Sequence, residues 1–524
     1  MKTNYIVITI IWAVLFILFL ALAWKEPFKL TNSIANLDPN PDTLYYSIPA
    51  WNFVHGQGFK MAAYGKEIIA GVPPLYGIFL VPFFSIFNDV RSFYYANLLL
   101  MAGSIFVFLL IVEKIFYKCG SKYWLMVFLG FVLVTNFYVY NLPQLLMAEN
   151  PLLLLTLISF YLLLLSFSLR NLILITIIGG LLWLTKLSAF PVIMVLFFWT
   201  LINFISSGYY KKIEKRVLIV LLLLFGGVLG LVIVKIILPN LEMLLNGTIY
   251  FSSDFAKKHL PYFLSQFLGI NGRYLGSSNQ QIEWIISIFS IIGIVISLIT
   301  KEYRKIALIG LTLILSVVVF HSFMYYPEGR YISTVIPVFI IFSGIVVAIL
   351  PKRIDWLVVL MMMGLYLGIR IEVNGFYERK VTTLKRQVMN NRLQDFDTAW
   401  KYRAVMDMNK VFKDKKDVYL ATFIQPFYLW IFADKNYNYL PISRRQDFSE
   451  RFYDQQVIPL EYSIEEYVSK LLTEGKEVYL NNYNYMAEKV WTEDYEKLIS
   501  NFKVTELRRG CFDWCNIYQL SLTE

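Results

Sequence analysis

The stretch Asn171–Ile205, NLILITIIGGLLWLTKLSAFPVIMVLFFWTLINFI, decides how the chain folds. It is almost entirely apolar, and as one unbroken helix it would be about 50 Å long, at about 1.5 Å per residue. The hydrocarbon core of a bilayer is only about 30 Å thick, so the stretch is too long for a single crossing. Lys186 is its only charged residue. We therefore predict two membrane-spanning helices that are separated at Lys186.

The composition of the whole chain is typical of a protein that crosses a membrane many times. Of its 524 residues, 57% are hydrophobic and 16% are charged, and the mean hydropathy is +0.56. An ordinary soluble domain has about 25% charged residues, so a soluble enzyme, a disordered chain and a fibrous repeat are excluded. The net charge of +11 arises within residues 1–372, where there are 26 Lys and Arg and 15 Asp and Glu. Basic loops that set topology explain this excess, and we expect no nucleic-acid partner.

Further apolar runs on both sides of this stretch bring the number of predicted spans to eleven. They are Tyr5–Trp24, 92–113, 123–140, 151–168, 171–185, 187–206, 217–238, 284–300, 306–326, 332–350 and 354–371. Lys and Arg concentrate in alternate loops, which are expected on the cytoplasmic side. The N-terminus is therefore predicted to be cytoplasmic and the tail after residue 372 to be extracytoplasmic. Without the break at Lys186, Lys211–Arg216 would face outward, against this rule.

Two domains follow from this topology. Residues 1–372 form the predicted α-helical transmembrane domain, which includes a large first outer loop at 25–91. The loop contains Leu75–Phe87, which is apolar but too short to span a bilayer and is therefore predicted to be an interfacial or re-entrant helix. Residues 373–524 are predicted to form an extracytoplasmic α/β domain. Its predicted helices are 391–412, 463–472 and 485–502, and its predicted strands are 417–423, 477–480 and 516–520.

The chain has three cysteines, too few for a disulfide scaffold. Cys511 and Cys515 lie close together in the tail. A local disulfide between them and two free thiols are both open interpretations, because an extracytoplasmic tail permits the bond without requiring it.

Acidic residues at the predicted outer boundary of the membrane are the first candidates for chemistry. Asp42 begins a predicted helix that also carries Tyr45 and Tyr46, two rings suited to a sugar or a lipid. The acid is either a general base or a helix cap. Glu149 leads into an almost purely apolar span, where a carboxylate without a partner is costly, so a functional role competes with helix capping.

Basic residues at the same boundary are candidates for binding a phosphate. Arg330, which precedes Tyr331, either clamps a phosphate with its planar fork, extends to the lipid headgroups or pairs with Glu328. Lys186 and His321 lie at a similar predicted depth, and a structural role is the favoured interpretation for both.

The order of these features resembles the GT-C glycosyltransferases that use polyprenyl-phosphate sugars, such as protein O-mannosyltransferases and lipid A aminoarabinose transferases. The resemblance covers about residues 1–370. The matching residues, in chain order, are Asp42, Tyr46, Pro73-Pro74, Arg91 before the second span, Glu149 before the fourth, and Arg330-Tyr331. Thr43 stands where members often have a second acid. Val72 stands where many have Lys or His, and Lys66 is the nearby substitute.

The resemblance implies a multi-pass enzyme of the cell membrane that moves a sugar from a polyprenyl-phosphate donor to a glycan, lipid or protein acceptor outside the cytoplasm. Asp42 would be the general base, and Glu149 the second acid of the site. Arg330, with Lys186 or His321, would stabilise the departing phosphate. Inversion at the anomeric carbon is implied. No cofactor is expected to be required, although part of the family depends on a divalent cation.

Two other functions remain open. One is a polysaccharide polymerase or ligase that uses a lipid pyrophosphate donor, although such enzymes often carry their large loop in the middle of the chain. The other is a transporter or flippase for a lipid-linked glycan, in which charged or broken segments are expected at mid-membrane. The candidate residues instead gather at the predicted outer face, which favours an enzyme.

Overall fold

The structure, a computed structural model, forms two compact units. The first contains Met1–Trp24, Asn97–Pro143 and Ala148–Gln387, and the second contains Lys25–Ala96, Gln144–Met147 and Val388–Glu524. The described residues are 5–29, 32–37, 42–64, 66–68, 72–208, 252–267, 284–324, 328–352, 354–368, 399–443, 462–486, 489–510 and 515–523. The second unit thus joins most of the first outer loop to the tail, two segments that the sequence analysis places in different domains.

Most described residues of the first unit are helical. Its helices are Tyr5–Ala23, the greater part of Phe93–Ile115, Lys122–Thr135, Phe137–Asn141, Glu149–Leu164, Leu169–Thr185, Phe190–Ser206, Ser253–Phe267, Trp284–Ile299, Lys301–Ser322, Ile336–Ala348 and Asp355–Gly368. Short 3₁₀ turns at Leu142–Gln144, Leu187–Ala189 and Gly329–Ile332 join some of them.

Four of the described helical segments are long and apolar enough to cross a bilayer, namely Tyr5–Ala23, Val90–Ile115, Leu187–Ser206 and Lys301–Ser322. Shorter apolar helices lie at the predicted spans 151–168, 171–185, 284–300, 332–350 and 354–371. The predicted span 217–238 lies outside the described residues. A mostly helical membrane fold is confirmed, whereas the count of eleven spans stays a prediction.

The break at Lys186 is confirmed. Helix Leu169–Thr185 ends there because Lys186 has an extended backbone, with φ −162° and ψ 140°. Phe190–Ser206 then begins after a single 3₁₀ turn, with Pro191 in its first turn, where a missing backbone N–H costs nothing. The two helices pack against each other.

The predicted span 123–140 is not one straight helix. Lys122–Thr135 and the following segment Tyr138–Gln144 are bent by 59°. Asn136 causes the break, because its backbone is extended and its side-chain Oδ1 accepts hydrogen bonds from the backbone N–H of Tyr138 and Val139. An Asn side chain competes with the helical hydrogen bonds in this way, and the sequence prediction did not weigh it.

Close helix packing in the first unit depends on a glycine. Gly293, on Trp284–Ile299, faces helix Ile336–Ala348 so closely that a Cβ atom there would lie 1.8 Å from the Phe342 carbonyl oxygen. Only glycine permits this approach of two backbones, as is common between helices in membranes.

In the second unit, the first outer loop forms two helices and a hairpin. Helix Asp42–Val54 packs against Leu75–Phe87. The segment of chain that connects these helices contains strands β1 (Met61–Ala63) and β2 (Lys66–Ile68), which form an antiparallel hairpin. Leu75–Phe87 is a helix of 13 residues, about 20 Å long, so the predicted short helix is observed with its predicted bounds.

The tail forms a five-stranded sheet covered by helices. Its strands are β3 (Tyr419–Thr422), β4 (Asn438–Pro441), β5 (Val478–Asn481), β6 (Phe502–Arg508) and β7 (Ile517–Leu522), in the order β4-β3-β5-β7-β6. Its helices are Trp400–Val411, Pro426–Phe432, Ile464–Thr473 and Lys489–Ser500. β4, β3 and β5 are parallel, and β7 and β6 run antiparallel to their neighbours. The three predicted strands and three predicted helices are observed with shifted bounds, because β5, β7 and the helix Ile464–Thr473 each extend past the predicted end. Residues 391–398 of the first predicted helix lie outside the described residues. The sequence does not predict β4, β6 or Pro426–Phe432.

The two parts of the second unit are joined by buried hydrogen bonds. Lys401, which is only 7% exposed, donates from Nζ to the Asn36 carbonyl (3.0 Å) and from its backbone N–H to Asn36 Oδ1 (3.1 Å). The Tyr428 hydroxyl donates to the Ala35 carbonyl (2.6 Å), and Trp430 Nε1 donates to Asn52 Oδ1 (3.0 Å). The tail therefore holds the first loop on both sides of Asp42 in the sequence.

Cys515 is disulfide-bonded, and Cys119 is a free thiol. Cys511 lies outside the described residues.

Candidate functional site

A buried cluster of charges in the first unit has Glu149 at its centre. Glu149 is the first residue of helix Glu149–Leu164 and is only 1% exposed. Its Oε1 lies 2.6 Å from Lys186 Nζ and 3.6 Å from Arg330 Nε. Lys186 reaches it from the break between two helices, and Arg330 from the 3₁₀ turn Gly329–Ile332. One carboxylate thus holds two cations from separate parts of the chain.

An aromatic ring completes the cluster. Tyr331 lies with its ring centroid 5.2 Å from Lys186 Nζ and 5.5 Å from the Arg330 guanidinium carbon, which are cation–π distances. The ring of buried His321 stacks on Tyr331 at 4.9 Å and 22°, and its Nδ1 lies 2.8 Å from the Val317 carbonyl oxygen. The structure therefore brings together five residues that the sequence analysis selected one by one.

The charges of this Glu149 cluster nearly balance. Arg330 also forms an ion pair with Glu328, which is one of the alternatives that the sequence predicts for it. Two cations therefore face two carboxylates. The second oxygen of Glu149, Oε2, is buried and has no hydrogen-bond partner among the described residues. A buried acceptor of this kind calls for a donor, such as a hydroxyl group of a bound molecule. The cluster can thus offer cations to an anion and a carboxylate oxygen to a hydroxyl.

Asp42 lies in the second unit, where it begins helix Asp42–Val54 and is partly exposed. Tyr45 and Tyr46 follow it by three and four residues, so all three lie on the same side of the helix. Both tyrosines line a cavity of about 180 Å³, together with residues that include Lys60, Pro73 and Pro74. The predicted tyrosines and the Pro-Pro pair therefore meet at one cavity, beside the first turn of the helix that Asp42 begins.

The wall of this cavity is closely packed on the side of Tyr46. Its ring packs edge-on against Tyr76 at 5.4 Å. A Cβ atom at Gly77 would lie 3.1 Å from the Tyr46 carbonyl oxygen and 3.0 Å from the Phe59 ring. The helices Asp42–Val54 and Leu75–Phe87 are therefore fixed at close distance.

Arg91 is held by the protein itself. Its Nε lies 3.0 Å from both Asp89 carboxylate oxygens, its NH2 group donates to Oδ2 at 2.6 Å, and its NH1 group donates to the Phe28 carbonyl at 3.0 Å. The guanidinium also lies between the rings of Phe28 (5.2 Å) and Tyr402 (4.7 Å). This arrangement joins the start of a membrane helix to the tail, and a contact of Arg91 with the donor stays a prediction.

Lys66 lies in strand β2, and its contact with the donor is likewise a prediction. Within the described parts of the chain, no group of three or more His, Cys, Asp or Glu side chains could hold a metal ion. That no cofactor is required, and that a divalent cation takes part only in some members of the family, therefore stay expectations.

The fold is that of a polytopic membrane protein, and its similarity to solved structures shows the GT-C fold that the sequence resemblance implied. The chain is similar to the crystal structure of ArnT from Cupriavidus metallidurans in the apo state, with a TM-score of 0.60, 16% sequence identity and 97% of each chain covered. It is also similar to the structure of that protein bound to undecaprenyl phosphate, with a TM-score of 0.61, 15% identity and 98% of each chain covered. No protein-family model and no curated protein matches the chain.

Proposed function

We propose that this protein is a membrane glycosyltransferase that moves a sugar from a polyprenyl-phosphate donor to an acceptor on the extracytoplasmic side. The observation that carries the proposal is the Glu149 cluster, in which Lys186 and Arg330 meet at one buried carboxylate above an aromatic ring. The similar ArnT structure contains undecaprenyl phosphate, which supports a polyprenyl lipid as the partner.

The proposed chemistry divides the work between an acid and a set of cations. By the sequence resemblance, Asp42 is assigned to take the proton of the acceptor hydroxyl as that oxygen attacks the anomeric carbon. The polyprenyl phosphate leaves, and its growing negative charge is stabilised by Lys186 and Arg330. Glu149 positions both cations, and its Oε2 accepts a hydroxyl of the sugar. Direct displacement inverts the anomeric carbon. A glycan, a lipid or a protein remains the acceptor class.

The contacts within the second unit support the proposed orientation. Asn36 and Ala35, in the first outer loop, touch Lys401 and Tyr428, in the tail. Groups in contact lie on the same side of the bilayer, so the chain crosses it an even number of times between them. If Tyr5–Ala23 is one crossing, the N-terminus and the tail lie on opposite sides, as the distribution of Lys and Arg predicts.

Reporter fusions test this orientation. A fusion at residue 213 is expected to report the cytoplasm and a fusion at residue 400 the extracytoplasmic side, because the basic segment Lys211–Arg216 is predicted to be cytoplasmic. At each position, a phosphatase fusion is active only outside the cytoplasm and a fluorescent-protein fusion only inside it, so the two reporters check each other. The same side for both positions would disprove the map.

A transfer assay tests the function. Purified protein in liposomes is expected to release polyprenyl phosphate from a polyprenyl-phosphate sugar in the presence of a membrane glycan extract, and not from a polyprenyl-pyrophosphate sugar. Arg330→Lys is expected to raise KM for the donor about tenfold or more, because a point charge replaces a planar fork and one charged hydrogen bond contributes about 1.5–3 kcal/mol. Consumption of the pyrophosphate donor alone would favour the polymerase or ligase, and movement of lipid without transfer would favour the flippase.

A further inference from the structure

A second cavity in the second unit is lined by two lysines and an acid that the proposed reaction does not use. Its volume is about 550 Å³, within the usual size of sites for small molecules. Its lining residues are Phe28, Arg91, Tyr402, Met406, Asn409, Lys410, Lys413 and Asp434. Phe28 follows the membrane helix Tyr5–Ala23 by five residues, and Arg91 begins the span Val90–Ile115. Two lining residues therefore adjoin the ends of candidate spans in the sequence.

The two lysines of this cavity are available to a ligand. Lys410 and Lys413 are exposed, and neither ammonium group makes an ion pair or hydrogen bond within the described structure. Lysines at a helix C-terminus are often explained by the negative end of the helix. Here Lys435 takes that role, because its Nζ donates to the carbonyls of residues 412, 413 and 415, the last at 2.6 Å.

The acid of the cavity is also positioned for a ligand. Asn409 Oδ1 accepts hydrogen bonds from the Asp434 backbone N–H (3.2 Å) and the Tyr437 hydroxyl (3.2 Å), and its Nδ2 donates to the Phe432 carbonyl (3.0 Å). Asn409 is thus occupied in fixing the backbone at Asp434. The Asp434 carboxylate itself makes no hydrogen bond or ion pair within the described structure and can accept a hydroxyl group.

We propose that this cavity binds a phosphate group attached to a polyol. Lys410 and Lys413 contact the phosphate, and Asp434 accepts a hydroxyl of the polyol. The lining carries three cations and one acid, and because Asp89 neutralises Arg91, the two free lysines leave an excess of positive charge that matches an anion. The phosphate belongs either to a phosphorylated sugar or to the headgroup of an anionic phospholipid such as phosphatidylglycerol.

Binding to the full-length protein tests the site without any assay of transfer. In phosphatidylcholine nanodiscs, calorimetric titration is expected to show that glucose 1-phosphate binds more tightly than glucose or inorganic phosphate. The double variant K410Q/K413Q is expected to weaken binding of glucose 1-phosphate by about tenfold or more, because both charged hydrogen bonds to the phosphate are lost. D434N is expected to weaken the binding of glucose 1-phosphate more than the binding of inorganic phosphate. The matched control K416Q/K503Q removes two exposed lysines outside the cavity and is expected to bind as the unaltered protein does.

Nanodiscs that contain phosphatidylglycerol distinguish the two sources of the phosphate. If the headgroup occupies the site, glucose 1-phosphate binds more weakly in these nanodiscs than in phosphatidylcholine nanodiscs. In K410Q/K413Q, the affinity is then the same in both kinds of nanodisc. If a sugar phosphate is the ligand, the lipid has no effect. Unchanged binding by K410Q/K413Q, or loss of binding in Arg330→Lys alone, would overturn the proposal, because the ligand would then bind elsewhere. Equal affinity for glucose and glucose 1-phosphate would overturn it as well.

Discussion

Asp42→Asn is expected to lower the rate of sugar transfer by about 10²–10⁴-fold, the usual contribution of acid–base catalysis, while the protein remains folded. An amide cannot accept the proton of the acceptor hydroxyl. Asn nevertheless caps a helix about as well as Asp, so a residue that only begins helix Asp42–Val54 would tolerate the change. The two roles of Asp42 that the sequence leaves open therefore give opposite results.

The measurement is transfer from a polyprenyl-phosphate sugar in liposomes, with thermal unfolding followed on the same samples. Asp254→Asn is the matched control, since Asp254 lies in the first turn of another helix, Ser253–Phe267, and its side chain is 81% exposed. Both variants are expected to keep the unfolding temperature, and only Asp42→Asn to lose activity. Near-normal transfer by Asp42→Asn would leave Asp42 as a cap and move the search for the base to Glu149.

The features that the sequence predicted correctly depend on local chemistry. The break at Lys186 follows from the length of an apolar run and one charge within it, and the short helix Leu75–Phe87 follows from Pro73-Pro74 and from its own length. Likewise, Glu149, Arg330 and Lys186 were selected because a charge at the edge of an apolar span needs a reason. Their mutual contact could not be predicted, since Glu149 and Lys186 are 37 residues apart and helix packing alone brings them together.

The elements that were missed lack a local pattern. Strand β6, FKVTELR, buries only Phe502 and exposes its other residues, so no alternation of apolar and polar residues marks it. Strand β4 is four residues long and ends at Pro441 on the edge of the sheet. Lys401 has the sequence context of a solvated helix lysine, yet it is buried against Asn36, a partner 365 residues away. Long-range contacts of this kind have no signature in a single sequence.

Glu149→Gln is expected to destabilise the protein by about 3–5 kcal/mol, the usual cost of removing one partner from a buried ion pair. Glu149 is buried, and its Oε1 faces both Lys186 and Arg330. A neutral amide would leave these two cations close together without their shared carboxylate, apart from the contact of Arg330 with Glu328. We expect a clear fall in the unfolding temperature and, because Lys186 and Arg330 lose their position, a loss of transfer.

A second substitution separates positioning from simple loss of stability. Glu149→Gln/Lys186→Met removes one cation along with the carboxylate, so it is expected to regain much of the lost stability while transfer stays low, because the departing phosphate lacks Lys186. Glu302→Gln is the control, since its ion pair with Lys118 (2.9 Å) is exposed to solvent and is expected to contribute little to stability. If the double variant were no more stable than Glu149→Gln, repulsion between Lys186 and Arg330 would not be the cause of the instability. If it regained transfer together with stability, Lys186 would have no part in the reaction, and the proposed stabilisation of the phosphate would rest on Arg330 alone.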